Sequence, residues 1–587
     1  MHRRRFLQTL GAAAGWTLGG SLRWSGAKTS APGRETPPNV VLVVTDDQGY
    51  GDLGCHGNPV LRTPNLDALY RQSVRLTDFH VGPTCAPTRA SLMTGRYCNR
   101  TGVWHTIMGR SLLARDEVTM ADVFAAGGYR TGIFGKWHLG DNYPYRPQDR
   151  GFHEVLIHGG GGVGQTPDVW GNDYFDDTYL HNGTPQKFSG YCTDVWFDSA
   201  MRFIEDNRNR PFFAYLATNA PHSPYRVPER YSRLYSDKDG PNADFYGMIA
   251  NIDENVGRLL DRLKSLALED NTIVIFMTDN GTAAGFQRGK GFNAGMRGTK
   301  GSEYDGGHRV PCFIRWPAGR LDGGRDVSRL TSHIDLLPTL IELCGLPSPT
   351  GVTFDGASIL SLLKGNDAGW PDRVVVTDSQ RVEHPQKWRQ CVVMTTRWRL
   401  VNGQELFDIS ADPAQKNDVS HEHLEVVRKL RDVYEKWWLE VSARFDAYCD
   451  IVIGSDKENP SRLTSHDWHE ADPSPWNQTH ILQGVAANGF WTVEAEQAGE
   501  YEFSLRRWPR ELDVPINAAI PGGRAIQATK ARLDIGQIRL ETPVSEDARE
   551  AVFRVRLEPG RMRLQTWFVG QDAATRGAYY VYIKRLS

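Results

Sequence analysis

From Val40 to Val44 the chain is wholly apolar and mostly β-branched, the pattern of a strand buried on both faces of a parallel sheet. The run Asn39–Val44 has counterparts at Arg130–Phe134, Pro211–Leu216 and Thr272–Met277. Helical periodicity separates them, at Met120–Ala126, Asp198–Asp206 and Tyr246–Leu266. Strands alternating with helices predict an α/β fold, with a large, mostly parallel central sheet flanked by helices. Near residue 370 the texture changes. Cys391–Thr396 and Trp398–Val401 predict short antiparallel strands, and Glu422–Ser442 predicts one helix packing back on them, a small antiparallel sheet-plus-helix subdomain. From residue 446 the period becomes two. Tyr501, Phe503 and Leu505 alternate with Glu502, Ser504 and Arg506, and Phe553, Val555 and Leu557 alternate with Arg554 and Arg556. With Gly/Pro turns between the runs, this predicts a separate C-terminal β-sandwich over 446–587, leaving 39–445 as the main domain.

The first residues stand outside this pattern. Arg3-Arg4-Arg5-Phe6-Leu7-Gln8, a mild apolar run and the small residues Ser25-Gly26-Ala27 predict a twin-arginine signal peptide over 1–27, followed by a linker at 28–38. The expected location is therefore outside the cytoplasm, periplasmic or extracellular, reached through the twin-arginine export machinery. That route carries folded proteins, so chemistry installed inside the cell can precede export. No later segment has the roughly 20 apolar residues of a spanning helix, so an integral membrane protein is not expected.

Composition changes the picture little. Of 587 residues, 40% are hydrophobic and 24% charged, an ordinary globular balance, and the net charge of -2 argues against nucleic acid as a partner. The 8 cysteines are scattered, with no zinc-ligand spacing and too few for a disulfide scaffold, so most read as small buried hydrophobes.

The chemistry lies just beyond the predicted strands, where ligands bind in open α/β sheets. Asp46-Asp47 follows the first strand and Asp279-Asn280 the last; Lys136 and His138 follow Arg130–Phe134, and His222 follows Pro211–Leu216. Clustered carboxylates repel one another unless a cation neutralises them, and hard oxygen ligands favour Ca²⁺ or Mg²⁺ over zinc. Cys85 sits where a loop runs through Pro87 into a helix. On the residues alone it is either a thiolate favoured by the helix N-terminus and Arg89, or a buried structural cysteine. The run Gly159–Gly164 lacks the Gly-Lys-Ser/Thr ending of a phosphate loop and reads as a mobile loop near the mouth of the site.

Cys85-Ala86-Pro87-Thr88-Arg89 followed by Ala90-Ser91-Leu92-Met93-Thr94-Gly95-Arg96 resembles the signature of the type I, formylglycine-dependent sulfatase family, within the alkaline phosphatase superfamily. Gly128–Gly140, Thr278–Gly281 and Arg297–Gly301 continue the resemblance in order, over about residues 38–445. It implies an arylsulfatase-like sulfuric ester hydrolase. Cys85 would be oxidised to formylglycine (3-oxoalanine) by a formylglycine-generating, sulfatase-maturing enzyme. One hydroxyl of the hydrated aldehyde would attack sulfur and expel the alcohol; loss of the proton from the other would then break the C–O bond, releasing sulfate and reforming the aldehyde. The resemblance further implies one cation, Ca²⁺ with Mg²⁺ possible, held by Asp46, Asp47, Asp279, Asn280 and the residue at 85. Arg89 would support the nucleophile, Lys136 and Lys300 would hold sulfate oxygens, His138 would take the diol proton, and His222 with Lys300 would protonate the leaving oxygen. His308 departs from the family, which usually carries an apolar residue there, and reads as a structural histidine, with a substrate contact as the alternative. The expected substrate is a sulfated small molecule or glycan. The rivals are a phosphate mono- or diester or phosphonate hydrolase of the same superfamily, and an inactive sulfatase-like glycan-binding protein. The C-terminal domain is expected to serve recognition or stability and not chemistry.

Overall fold

The computed structural model describes residues 37–236, 242–570 and 575–586; the expected signal peptide, and the linker up to residue 36, lie outside the described residues. Ten strands form the largest sheet. Its five central strands run parallel in the spatial order Thr272–Thr278, Asn39–Thr45, Phe212–Ala217, Arg130–Gly135, Glu154–Ile157. Both edges turn antiparallel, through Cys312–Arg315 on one side and Thr178–His181 on the other. The apolar run of the first strand explains its central place. Val40, Leu42 and Val44 point into one buried layer with Met120, Val123 and Leu336, while Val41 and Val43 point into the other with Trp196, Ile252 and Leu259. None of these strand residues is more than 1% exposed, as a strand covered by helices on both faces requires.

Element bounds differ from expectation where burial extends a pattern. The helix expected from Asp198 begins at Cys192, because Val195, Trp196 and Phe197 prolong the apolar stripe against the sheet. The edge strand Thr184–Lys187 has every residue exposed, so no apolar periodicity marks it.

The small subdomain is a four-stranded antiparallel sheet, Val375–Asp378, Cys391–Met394, Trp398–Val401 and Glu405–Asp408 in spatial order. The helix Leu424–Val441 covers one face through Leu430, Tyr434 and Trp437. In the C-terminal region a six-stranded and a four-stranded sheet share one core, with Trp468, Trp491 and Trp508 at most 1% exposed. The strand Ala551–Leu557 alternates buried and exposed without a break, the pattern read from its sequence.

This region does not hang from a linker. Its core takes in Leu112 and Tyr145 of the main domain. Tyr145 Oη donates to the Asp450 carbonyl (2.7 Å), Met108 N–H to that of His466 (2.8 Å) and Thr166 N–H to that of Trp476 (3.1 Å). The boundary near residue 445 is a packed seam.

Candidate active site

Because the five central strands are parallel, their carboxyl ends share one edge of the sheet. Four adjacent strands deliver Asp279-Asn280, Asp46-Asp47, His222 and Lys136/His138 there, in that lateral order. Backbone strain marks the same place. Asp47 (φ 68°) and His138 (φ 61°) adopt left-handed conformations that side chains other than glycine disfavour. Gly135, beside them at φ 115°, admits no side chain, since a Cβ would lie 2.0 Å from the Ala217 carbonyl oxygen.

The carboxylates are buried and held by cations. Lys136 Nζ lies 2.6 Å from Asp46 Oδ2, and Lys300 Nζ 2.6 Å from Asp47 Oδ1. Arg89 donates to Asp279 Oδ2 from Nε (3.1 Å) and Nη2 (2.8 Å), and to the Lys136 carbonyl from Nη1 (3.1 Å). Asn280 Nδ2 donates to Asp47 Oδ1 (2.9 Å), and the Asp47 N–H to Asp279 Oδ1 (3.1 Å). Losing one partner of such a buried pair would leave an uncompensated charge, which costs about 3–5 kcal/mol. Burial, followed by the Asp46 charge, pushes the Asp279 carboxyl up to about 6 despite Arg89. Burial raises Asp46 as well. At Asp47 burial is outweighed by Lys300 and His222, which hold it well below the usual carboxylate range.

Ligand oxygens of Asp46, Asp47 and Asp279 can lie within 4.8 Å of one another. Asp46 Oδ1 and Asn280 Oδ1 are buried without a hydrogen-bond partner. Hard oxygens, two of them unsatisfied, fit a Ca²⁺- or Mg²⁺-like ion.

Cys85 is the first residue of the helix Cys85–Thr94, all of which is buried, and stands at its positive end. The thiol lines a cavity of about 380 Å³ together with Asp47, His138, His222 and Lys300. All ten expected residues are thus gathered, seven in the charge network and Cys85, His138 and His222 beside it. The histidines have defined tautomers. His138 Nε2–H donates to the Thr106 carbonyl (2.8 Å), which leaves Nδ1 as a buried, unpartnered acceptor. Burial, aided by Lys136, holds its ring well below the usual histidine range. His222 Nδ1–H donates to the Ser223 carbonyl (2.6 Å), and Nε2 faces Asp47 Oδ2 at 3.8 Å.

His308 takes no part. It is buried against His80 (Nδ1···Nδ1 2.9 Å) and the Glu303 carbonyl (Nε2 3.1 Å). His80, Asp305 and His308 also converge within ligand range, but Arg399 crosses the group, donating to Asp305 (3.0 Å) and Asp78 (2.8 Å). A guanidinium in the midst of the cluster ties the small sheet to the main domain and opposes a metal ion there.

Gly159–Gly164 does border the site, but it is tethered, and all of it except the half-buried Gly164 is buried. Gly161 N–H donates to Gln165 Oε1 (2.7 Å), Gly160 N–H to Asp141 (2.9 Å) and Gly164 N–H to Asp168 (3.0 Å). His105, Gln165, Arg381 and Trp476 also line the cavity; of these the sequence marks only Trp476, as one of several C-terminal tryptophans whose faces can stack on a sugar. They lie in four separate loops, where no periodicity or motif points to them. A roomier cavity of about 700 Å³, at the C-terminal seam beside Asp141 and Arg462, is lined by none of the ten residues.

The central α/β sheet thus carries at its carboxyl edge a buried cluster of three carboxylates, two lysines and an arginine. The sulfatase family model matches residues 38–346, and the C-terminal model of N-sulphoglucosamine sulphohydrolase matches residues 299–437. The human arylsulfatase A is 35% identical over 359 residues, covering 56% of this chain and 68% of that protein. An N-acetylgalactosamine-6-O-sulfatase of Bacteroides thetaiotaomicron is 30% identical over 483 residues, covering 68% of this chain and 92% of its own. Among solved structures, Ps i-CgsB in complex with k-i-k-neocarrahexaose superposes with a TM-score of 0.63 at 29% identity, covering 71% of this chain and 95% of that one. The chain belongs to the type I sulfatase family and is an arylsulfatase-like enzyme.

Proposed function

We propose that the protein releases sulfate from a sulfated carbohydrate, using a formylglycine made from Cys85 and one divalent cation, Ca²⁺ or Mg²⁺. The observation that carries this reading is the convergence of Cys85, on a helix N-terminus, with three carboxylates and two lysines. Asp46, Asp47, Asp279 and Asn280 would hold the cation. When present, the cation supplies Lewis-acid polarisation and the hydrated aldehyde a hydroxyl nucleophile.

The remaining work belongs to the chain's own side chains. Arg89 fixes Asp279 and the Lys136 backbone, and so orients the ligand set. Lys136 and Lys300 present ammonium groups to sulfate oxygens and offset charge that builds during S–O cleavage. His138, with a free Nδ1 lone pair, accepts a proton; His222, backed by Lys300, serves the leaving oxygen. Lys136 and Lys300 sit on Asp46 and Asp47, which suits the carboxylate set to one cation and a sulfate rather than to a two-metal phosphate site. Keeping all ten residues favours an enzyme over an inactive binding protein. The names of the galactosamine sulfatase and of the hexaose complex, with a cavity in the size range of small-ligand sites, support a carbohydrate. Folded export through the twin-arginine route would follow modification of Cys85 in the cytoplasm.

The test has two arms. Mass spectrometry of the tryptic peptide 76–89 from active enzyme is expected to show an aldehyde in place of the thiol. Exhaustive chelation is expected to abolish turnover, restored by Ca²⁺ or Mg²⁺, and Asp279→Ala to lose both metal and activity. Full turnover by enzyme carrying only unmodified Cys85, or by chelated enzyme, would overturn the mechanism.

A further inference from the structure

The mouth of the cavity carries a cation that the chain does not use. Asp47 is the one carboxylate of the cavity lining, and Lys300 holds it at 2.6 Å. Arg381, exposed on the same lining, makes no ion pair among the described residues. Its backbone, by contrast, is clamped. Trp104 Nε1–H donates to the Val382 carbonyl (3.1 Å), and the Glu383 carboxylate receives Arg110 Nε–H (3.0 Å) and His469 Nδ1 (3.0 Å). At Glu383 burial is outweighed by His469 and Arg110, which bring the carboxyl down to about 2 and keep this clamp charged. A guanidinium on a fixed backbone, unpaired at the rim of an anion site, is arranged for a ligand group.

Two neighbours fit the same purpose. His105 Nδ1 accepts from the N–H groups of Thr106 (2.7 Å) and Ile107 (3.1 Å). The proton therefore resides on Nε2, a donor that no group of the described chain engages. Burial, with Arg381 adding to it, lowers this ring to about 3, so it donates without carrying charge. Trp476, half-buried, is offered to the cavity from the C-terminal region. Its carbonyl accepts from Thr166 N–H (3.1 Å), and the next residue bridges to Gln165. An aromatic face held this way can pack on a sugar ring.

We propose that Arg381, His105 and Trp476 form a second recognition subsite, which takes a further anionic substituent on the sugar carrying the scissile sulfate or on its neighbour. Carboxylate and sulfate both present adjacent anionic oxygens that a guanidinium and an N–H donor bind. The subsite rests on the carbohydrate reading above and narrows it to polyanionic glycans.

The experiment is competition against turnover of a small aryl sulfate. The competitors are N-acetylgalactosamine 6-sulfate, the same sugar linked to a uronate, and the same sugar bearing a second sulfate. Each Ki is read against the variant's own KM. For the wild type, a competitor with the second anion is expected to inhibit at least about tenfold more tightly, which is about 1.4 kcal/mol. Arg381→Gln is expected to erase that difference, Arg381→Lys to retain part of it, and Trp476→Ala to weaken all three sugars. The uronate and disulfate arms tell which anion is preferred. Equal inhibition by all three sugars, or a preference that survives Arg381→Gln, overturns the subsite. Absence of any aryl sulfate turnover would instead overturn the sulfatase mechanism beneath it.

Discussion

The protonation of two histidines divides the labour at residue scale. The hydrogen bonds of the two rings leave His138 a free acceptor nitrogen and His222 a free Nε2 beside Asp47. Burial, then Lys300, lowers His222 to about 4, so before substrate arrives this ring is neutral in neutral solution. At Lys300 burial is outweighed by Asp47, which holds the ammonium above the usual lysine range. The two groups together can serve a leaving oxygen: a charged donor in Lys300, and in His222 a ring that takes up a proton as the anionic ester enters. The alcohol that leaves a sugar is far more basic than a nitrophenol. His222→Gln is therefore expected to lower kcat by about 10²–10⁴ on a sugar sulfate and far less on p-nitrophenyl sulfate. An equal loss on both esters would remove His222 from the proton-donor role.

At the scale of elements, strand ends and one glycine-rich loop decide the geometry. The acid pairs and His138 were legible in the sequence because each follows an apolar run, and a parallel strand necessarily presents its carboxyl end to the same edge as its neighbours. The loop was harder to read. Its glycines mark close backbone approach: a Cβ on Gly161 would lie 2.2 Å from His138 Cε1 and Nε2, and one on Gly159 2.3 Å from the Pro167 carbonyl oxygen. The segment thus packs on the proton acceptor as a fixed wall. Gly161→Ala is expected to displace the His138 ring and lower kcat about 10²-fold, the scale of an ångström-level misplacement, with little change in melting temperature. Wild-type kcat in this variant would show that the wall does not set the ring.

Across the whole molecule, the C-terminal sheets are coupled to the site. They bury Leu112 and Tyr145, pin Thr166 through Trp476 and hold Gly164 through Gln478 N–H (3.0 Å). A chain ending near residue 445 is expected to melt lower, since an apolar face is uncovered, and to lose at least about tenfold in aryl sulfate turnover where gel filtration shows it monodisperse. A truncated chain with unchanged melting and turnover would support the division between chemistry and recognition that the sequence suggests. The alternation of strands and helices, the residues after each central strand and the Cys85 signature can all be read along the chain, because these depend on neighbours within a few positions. Period-two burial in Ala551–Leu557 is of the same local kind. The company those residues keep is set by the packing of distant segments. His105, Arg381 and Trp476 meet Cys85 from loops 20, 296 and 391 positions further along the chain, and His308 is withdrawn by His80. A loop side chain carries no periodic signal, so its neighbours are set by how the sheets pack and not by the residues beside it in the chain.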